Sequence, residues 1–314
     1  MSMQTHGKAT MKNILIKNSI RRSQLIFYIC IAMLPVIQFC IFYLGVNINS
    51  IFLAFKKYDL YSNSYQWIGF DNFVNVFRDL GTLVYLKAAL RNSCFIYLAG
   101  LLITTPLALI FSYYIYKKLP LHKTIKVILF IPVMLSSLIV ILLFKYFVDR
   151  AVPALIEQIF GKQIPGLLTD TERALPTIIF FNIWSGFGSV ILLYIGSMNS
   201  ISDSLVEAAQ IDGAGSLREF FYITLPHVFP TLSVYLITGI GGFFTNQMGL
   251  FSFFGTEAEY GLYTFGYFLY RAIKVAEPTD YPYLSAMGLL MTVVAVPITY
   301  LVKFLLEKFG PSTD

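Results

Sequence analysis

Apolar runs long enough to cross a lipid bilayer dominate the chain. A helix needs about 20 such residues, at about 1.5 Å of rise each, to traverse the hydrocarbon. Six stretches meet that length: Leu25 to Val46, Cys94 to Ile115, Ile125 to Val148, Leu175 to Met198, Val228 to Phe251 and Tyr283 to Leu306. Pro35, Pro106, Pro132 and Pro297 interrupt several of them. Neighbouring helices in a bundle can satisfy the carbonyls a proline frees, so these positions predict kinks rather than ends. The first run is too long for the apolar core of a signal peptide. Asn47, Ile48 and Asn49 follow it instead of a small-residue cleavage pattern, so it predicts a retained span. The expected fold class is an all-α membrane protein: a basic tail over 1–24, a six-span domain over 25–310 and a short tail over 311–314. No period of 20–50 residues repeats.

Composition agrees with the pattern. Of 314 residues, 57% are hydrophobic and only 13% charged, against about 25% charged in a soluble domain. So little charge cannot wet a surface exposed to water on every side, which excludes ordinary soluble enzymes, disordered chains and disulfide-stapled secreted domains. Cys30, Cys40 and Cys94 form no CxxC pair, and His6, His122 and His227 are scattered. No metal site is expected.

The net charge of +6 matters through its placement, not through any nucleic acid. Lys8, Lys12, Lys17, Arg21 and Arg22 precede the first run without an acid; Lys117, Lys118, Lys123 and Lys126 do the same between the second and third. The opposite loops balance their bases with Asp59, Asp71, Asp79, Asp149, Glu157, Glu257 and Glu259. Basic loops stay inside, so both termini and the loop between spans four and five are expected in the cytoplasm. In the outer loop after span one, Trp67, Ile68, Phe70, Phe73, Val74 and Phe77 recur at helical spacing. They predict an amphipathic segment at the headgroup level.

The loop from Ile201 to Pro226 is too long for a connector between packed helices, which needs about 2–8 residues. It is also patterned. Ser204-Leu205-Val206-Glu207 and Ser216-Leu217-Arg218-Glu219 both fit the S-x-x-E capping box. Ile201, Leu205, Ala208 and Ala209 mark one helical face, and Leu217, Phe220 and Phe221 another. Gly213 and Gly215 permit a reversal between them, and Pro226 is expected to end the second helix. The result is a two-helix hairpin on the inner side. It either lies on the bilayer or offers Glu207 and Asp212 to the cations of a partner, with Ala208 and Ala209 allowing close approach.

These residues carry a resemblance. Glu207-Ala208-Ala209-x-x-Asp212-Gly213-Ala214, followed by Phe220, Ile223, Leu225 and Pro226, resembles the EAA loop of permease subunits of ABC importers. Trp67-Ile68-Gly69-Phe70-Asp71-Asn72-Phe73, Asn92, Ile131-Pro132 and Trp184-Ser185-Gly186 are similar to the sugar-type, maltose-permease-like members. The resemblance spans roughly residues 25 to 310. Two departures stand out: Ser202 where the family often has proline, and a short segment over 149–174 where the larger maltose-type subunit carries a big outer domain. The resemblance implies a type I ABC importer permease fold in the cell membrane, forming half of an oligosaccharide pathway. It implies a second, related permease subunit as partner, two ABC ATPase subunits and an extracytoplasmic solute-binding protein. ATP and Mg would be bound by the ATPase subunits; this chain has no G-x-x-x-x-G-K-[ST] cradle, no cofactor and no catalytic residue. Glu207, Ala208, Ala209, Asp212, Gly213, Ala214, Phe220, Leu225 and Pro226 would couple to the ATPase.

Polar residues inside spans are costly unless they face a cavity or the bundle interior. Asn182 and Ser185 in span four, and Thr245, Asn246 and Gln247 in span five, are so placed. By the resemblance, Asn182, Gly186 and Asn246 occupy sugar-site positions. Amides donate and accept, as hydroxyl-rich ligands require, while Trp184, Phe243 and Phe244 offer faces on which sugars stack. The substrate-path set is therefore Asn182, Ser185, Gly186, Phe243, Asn246 and Gln247, with interhelical hydrogen bonding as the competing role. The Gly239, Gly241, Gly242 cluster suggests close helix packing, and Lys145 suggests snorkelling to the headgroups. The alternatives are a permease for another small solute or a secondary transporter, the latter expected to carry ionisable residues at mid-membrane.

Overall fold

The computed structural model describes residues 24–311, so the basic tail's Lys8 to Arg22 lie outside the described residues. Among the described residues, five helices are long and apolar enough to cross a membrane: Gln24–Leu53, Val84–Tyr116, Thr171–Met198, Ser216–Phe254 and Tyr281–Phe309. The sixth crossing is a broken pair, His122–Met134 and Ser137–Phe160, bent by 103°. We number these spans one to six in chain order, the bent pair being span three. Span two begins at Val84, ten residues before its apolar run. Asn92 therefore lies inside it, not ahead of it.

The prolines behave in two ways. At Pro106, Pro153 and Pro226 the helix first widens to one turn of i→i+5 bonding: Thr105 N–H reaches Gly100 O, Val152 reaches Phe147 O and Leu225 reaches Phe220 O. The wide turn gives each proline ring room and tolerates its missing N–H, and the helix runs on. Pro132 has no such turn ahead of it, and the helix stops at Met134 with Leu135 extended. One consequence corrects the sequence reading: Pro226 does not end a helix but sits in the first turn of 225–245, continuous with Ser216–Glu219.

Two cores stack along the bundle. On the side of the four-to-five loop (the elbow side), Ala108, Ile115, Ile191, Tyr194, Met198 and Val228 join spans two, four and five. Toward the far side, Leu86, Ile178, Phe181, Met248, Phe265, Tyr267 and Met287 join spans two, four, five and six with the segment after span five. Gly188 lets spans three and four touch backbone to backbone; a Cβ there would meet Leu129 O at 2.6 Å.

The far side carries structure that the apolar runs did not predict. Lys56–Asp59 and Ser64–Trp67 form an antiparallel hairpin pairing Lys56 with Trp67 and Asp59 with Ser64. The hydroxyl of Ser62 and the N–H of Tyr61 hold the Asp59 carboxyl below the usual carboxylate range. The aromatic segment divides: Trp67 belongs to the strand, Phe70 stands exposed at the N-cap of helix Asp71–Thr82, and that helix exposes Val74 and Phe77 and buries Val76. Asn72 docks that helix by donating to Ala54 O and Lys56 O at 2.9 and 2.7 Å. The loop after span five folds back as a second far-side helix, Phe265–Val275, with its first four residues buried.

Candidate functional site

Span five breaks where its polar residues fall. The helix ends at Thr245, Asn246 is extended, Met248 and Gly249 take φ of +55° and +69°, and a short helix resumes over Leu250–Phe254. Non-helical backbone at membrane depth persists only where it is buried in protein or lines a cavity. Both conditions hold here. The freed carbonyls find donors: Thr264 Oγ1 donates to Asn246 O at 2.9 Å, and Asn182 Nδ2 to Met248 O at 3.0 Å. Asn246 Oδ1 accepts from Met248 N–H at 2.8 Å. The far-side helix presses against the break through Gly266, whose missing Cβ would stand 2.5 Å from the Thr245 carbonyl.

Beside the break lies a chamber of about 600 Å³ between spans two, three, four and five. Asn182, Ser185, Gly186 and Asn246 line it together with Thr104, Ser137, Ser189 and Ser252, and no charged residue does. A second chamber of about 180 Å³ adjoins it, sharing Asn246 and Tyr235 and adding Phe243, Ser93, Thr105 and Thr264. The tertiary fold thus gathers five of the six substrate-path residues around two adjoining spaces. Gln247 stands apart: it occupies the break, where its carbonyl accepts from Leu250 N–H, but lines neither chamber.

Other expectations need correction. Trp184 is turned into a separate apolar groove with Phe144 and Phe180, so its face is not offered to the chamber. Of the glycine cluster, only Gly239 meets a neighbour, Tyr97, and only at ordinary contact distance; Gly239 and Gly242 line the small chamber. Their missing side chains make space there. Lys145 does not snorkel: its ammonium donates to Phe253 O at 2.8 Å and lies over the Phe254 ring. It caps the C-terminal end of the resumed helix, where a cation complements the helix dipole. Asn92 and Ser93 supply an anchoring that the sequence pattern does not predict. Asn92 is fully buried in span two and donates to Gly261 O and Tyr263 O, while Ser93 accepts from Phe265 N–H. Their partners lie about 170 residues away, and no local pattern announces such a contact.

On the elbow side, helix Asp203–Ile211 projects from the bundle and turns sharply into Ser216. The turn is a Schellman motif: Ala214 N–H bonds Ala209 O, Gly213 N–H bonds Gln210 O, and Gly213 supplies φ +77°. Gly215 is ordinary extended backbone, so the reversal depends on Gly213 alone. Neither capping box forms. The helix starts at Asp203, which puts Ser204 inside it, and Ser216 follows an N-cap at Gly215.

Glu219 turns instead to Lys117, both carboxylate oxygens lying 2.9 Å from Nζ. Phe220 packs its ring on Tyr113, and Leu225 joins the elbow-side core. Glu207, Ala208, Asp212 and Gly213 are exposed, as are Leu205, Ile211, Leu217, Phe221 and Tyr222. Ala209 and Ala214 line a cleft of about 360 Å³ under the turn. Among the described residues, Glu207 and Asp212 have no ion-pair partner. An exposed apolar patch of this kind marks an interaction surface, for a protein or for the bilayer.

A six-crossing bundle with a broken helix, a polar chamber beside it and an exposed elbow defines a membrane permease. The chain belongs to the family of binding-protein-dependent transport system inner membrane components, whose pattern matches residues 104–314. It is 25% identical over 292 residues to Protein LplB of Bacillus subtilis, covering 90% of this chain and 89% of that one. With the probable ABC transporter permease protein YurN of the same organism it shares 28% over 227 residues, 68% of this chain and 74% of the relative. The maltose/maltodextrin transport system permease protein MalF of Klebsiella aerogenes is 29% identical over 183 residues, 57% of this chain and 35% of that longer one. The fold is that of a chain in the crystal structure of a bacterial ABC transporter that imports the acidic polysaccharide alginate. That match has a TM-score of 0.77 at 24% identity and covers 94% of this chain and 99% of the other. The type I importer permease fold expected from the sequence is the one observed.

Proposed function

We propose that this permease forms half of the translocation pathway of an ATP-driven oligosaccharide importer. The other half is a second, related permease. Two ATPase subunits that bind ATP and Mg dock on the elbow over residues 201–226, with Glu207 as the charged contact and both termini on that cytoplasmic side. A solute-binding protein delivers sugar to the far side. The observation that carries this reading is the pairing of a charge-free, amide- and hydroxyl-lined chamber with an exposed apolar elbow on one helix-linked frame.

Amide and hydroxyl groups satisfy the donors and acceptors of a sugar without demanding a charge. Relatives named for maltodextrin and alginate transport support the same class of cargo. Another relative is named for sn-glycerol-3-phosphate, but a phosphate ester wants a cationic clamp, and the chamber lining supplies none. A secondary transporter would need ionisable groups there, and the lining again has none. Reconstitution decides the matter. Vesicles holding both permeases and the ATPases, with binding protein outside, should take up a labelled neutral oligosaccharide only when ATP is enclosed. The chain alone should transport nothing. Uptake by the chain alone, or a strict preference for a solute that is not a saccharide, would overturn the reading.

A further inference from the structure

The Lys117–Glu219 ion pair joins two elements that the coupling scheme treats separately. Lys117 follows the last turn of span two, and Glu219 lies in the first turn of the helix that becomes span five, 102 residues on. We propose that this pair is a strut that makes the elbow's motion move span two together with span five. Lys117 and Glu219 would then be positioning residues of the transport cycle. The inference rests on the permease reading above.

Four observations carry it. First, the pair is enclosed: the Glu219 side chain is 3% exposed and that of Lys117 19%. Exposed ion pairs contribute little and slip easily, whereas a buried pair is geometrically fixed, because separating it strands a charge away from water. Second, the charges suit their positions. A cation at the C-terminal end of span two and an anion at the N-terminal end of the span-five helix each complement a helix dipole. Third, the pair does not act alone. Tyr113 O–H donates to Ser216 O at 2.9 Å, and the Tyr113 ring meets Phe220 edge-on with centroids 5.0 Å apart. These contacts, each to a different residue of the stem, fix its angle against span two as well as its distance.

The fourth observation is the contrast with span four. There the hydrogen bonds to span five on this side are the neutral contacts Ser200–His227 and Thr231–Ser197, at 3.3 and 3.2 Å, beside the apolar packing of Tyr194 and Met198 with Val228. The elbow helix joins span four through residues 199–202 and the stem through the 212–215 turn. A displacement of the elbow reaches span five at Ser216 to Glu219, and the charged connection from that point leads to span two.

The test uses the assembled complex of both permeases, ATPases and binding protein in vesicles, with solute imported per ATP hydrolysed as the readout. Glu219→Gln and Lys117→Met should each lower that ratio about tenfold while the ATPases still copurify. Lys117→Arg, which keeps the pair, should leave the ratio within about twofold of the unsubstituted complex. The exchange Lys117→Glu with Glu219→Lys restores the pair but opposes both helix dipoles, and should recover part of the loss. An unchanged ratio in Glu219→Gln overturns the strut. So does an exchange no better than the single variants, or a loss of ATPase association in the singles, which would make the pair a structural staple. Absence of ATP-driven uptake by the unsubstituted complex is a separate result, and it overturns the permease reading itself.

Discussion

At Gly213 the backbone stands at φ +77°, and no atom lies within 4 Å of where a Cβ would be. Any penalty for a side chain there is conformational, not steric crowding by neighbours. Gly213→Ala should cost about 1–2 kcal/mol of strain and leave the elbow formed. Gly213→Pro cannot form it, since the ring holds φ near −65°. Its expected phenotype is normal insertion with ATPase capture and ATP-driven uptake both lost, checked by pull-down and vesicle transport; full uptake would remove the turn from the mechanism. Glu207→Lys, on the exposed face beside it, should weaken ATPase capture without altering the amount of protein in the membrane.

Asn182 poses the opposite problem, because it both bonds a neighbouring span and lines the chamber. Interhelical hydrogen bonds in membranes average about 0.6 kcal/mol. Asn182→Leu should therefore lower thermal stability in detergent only slightly, while raising the half-saturating solute concentration about tenfold. A large stability loss with unaltered half-saturation would assign Asn182 to packing.

The elements are held by contacts of very different reach. The wide turns before Pro106, Pro153 and Pro226 are local solutions, settled within a few residues of each proline. The broken span five is held from a distance, by Thr264 on its carbonyl, Gly266 against its backbone and Asn92 with Ser93 behind them both. Asn92→Leu removes two donors and leaves the Gly261 and Tyr263 carbonyls without that partner, each unmet buried group costing about 1–3 kcal/mol. Amide hydrogen exchange over 261–268 should speed up in that variant, while protection in the middle of span four stays as it was. Equal loosening of both regions would show that Asn92 supports the whole bundle rather than the loop that clamps the break.

Across the whole molecule, the apolar window of span one is entirely unburied, while that of span four is 44% buried. A helix with no buried residue along its apolar window presents most of its surface to lipid or another subunit, which agrees with a pathway completed by a second permease. The sequence by itself determined the number of crossings, the elbow and its turn glycine, and the polar positions of spans four and five. Each is written within one turn or one bilayer thickness of chain, where hydrophobic length, φ requirement and residue type act directly. Only the tertiary structure decided that span three bends, that Glu219 answers Lys117 instead of Ser216, that Trp184 turns from the chamber and that the far-side loop clamps span five. Those outcomes depend on partners about 20 to 170 residues away, and a buried polar group takes whichever partner the packing brings within hydrogen-bonding distance.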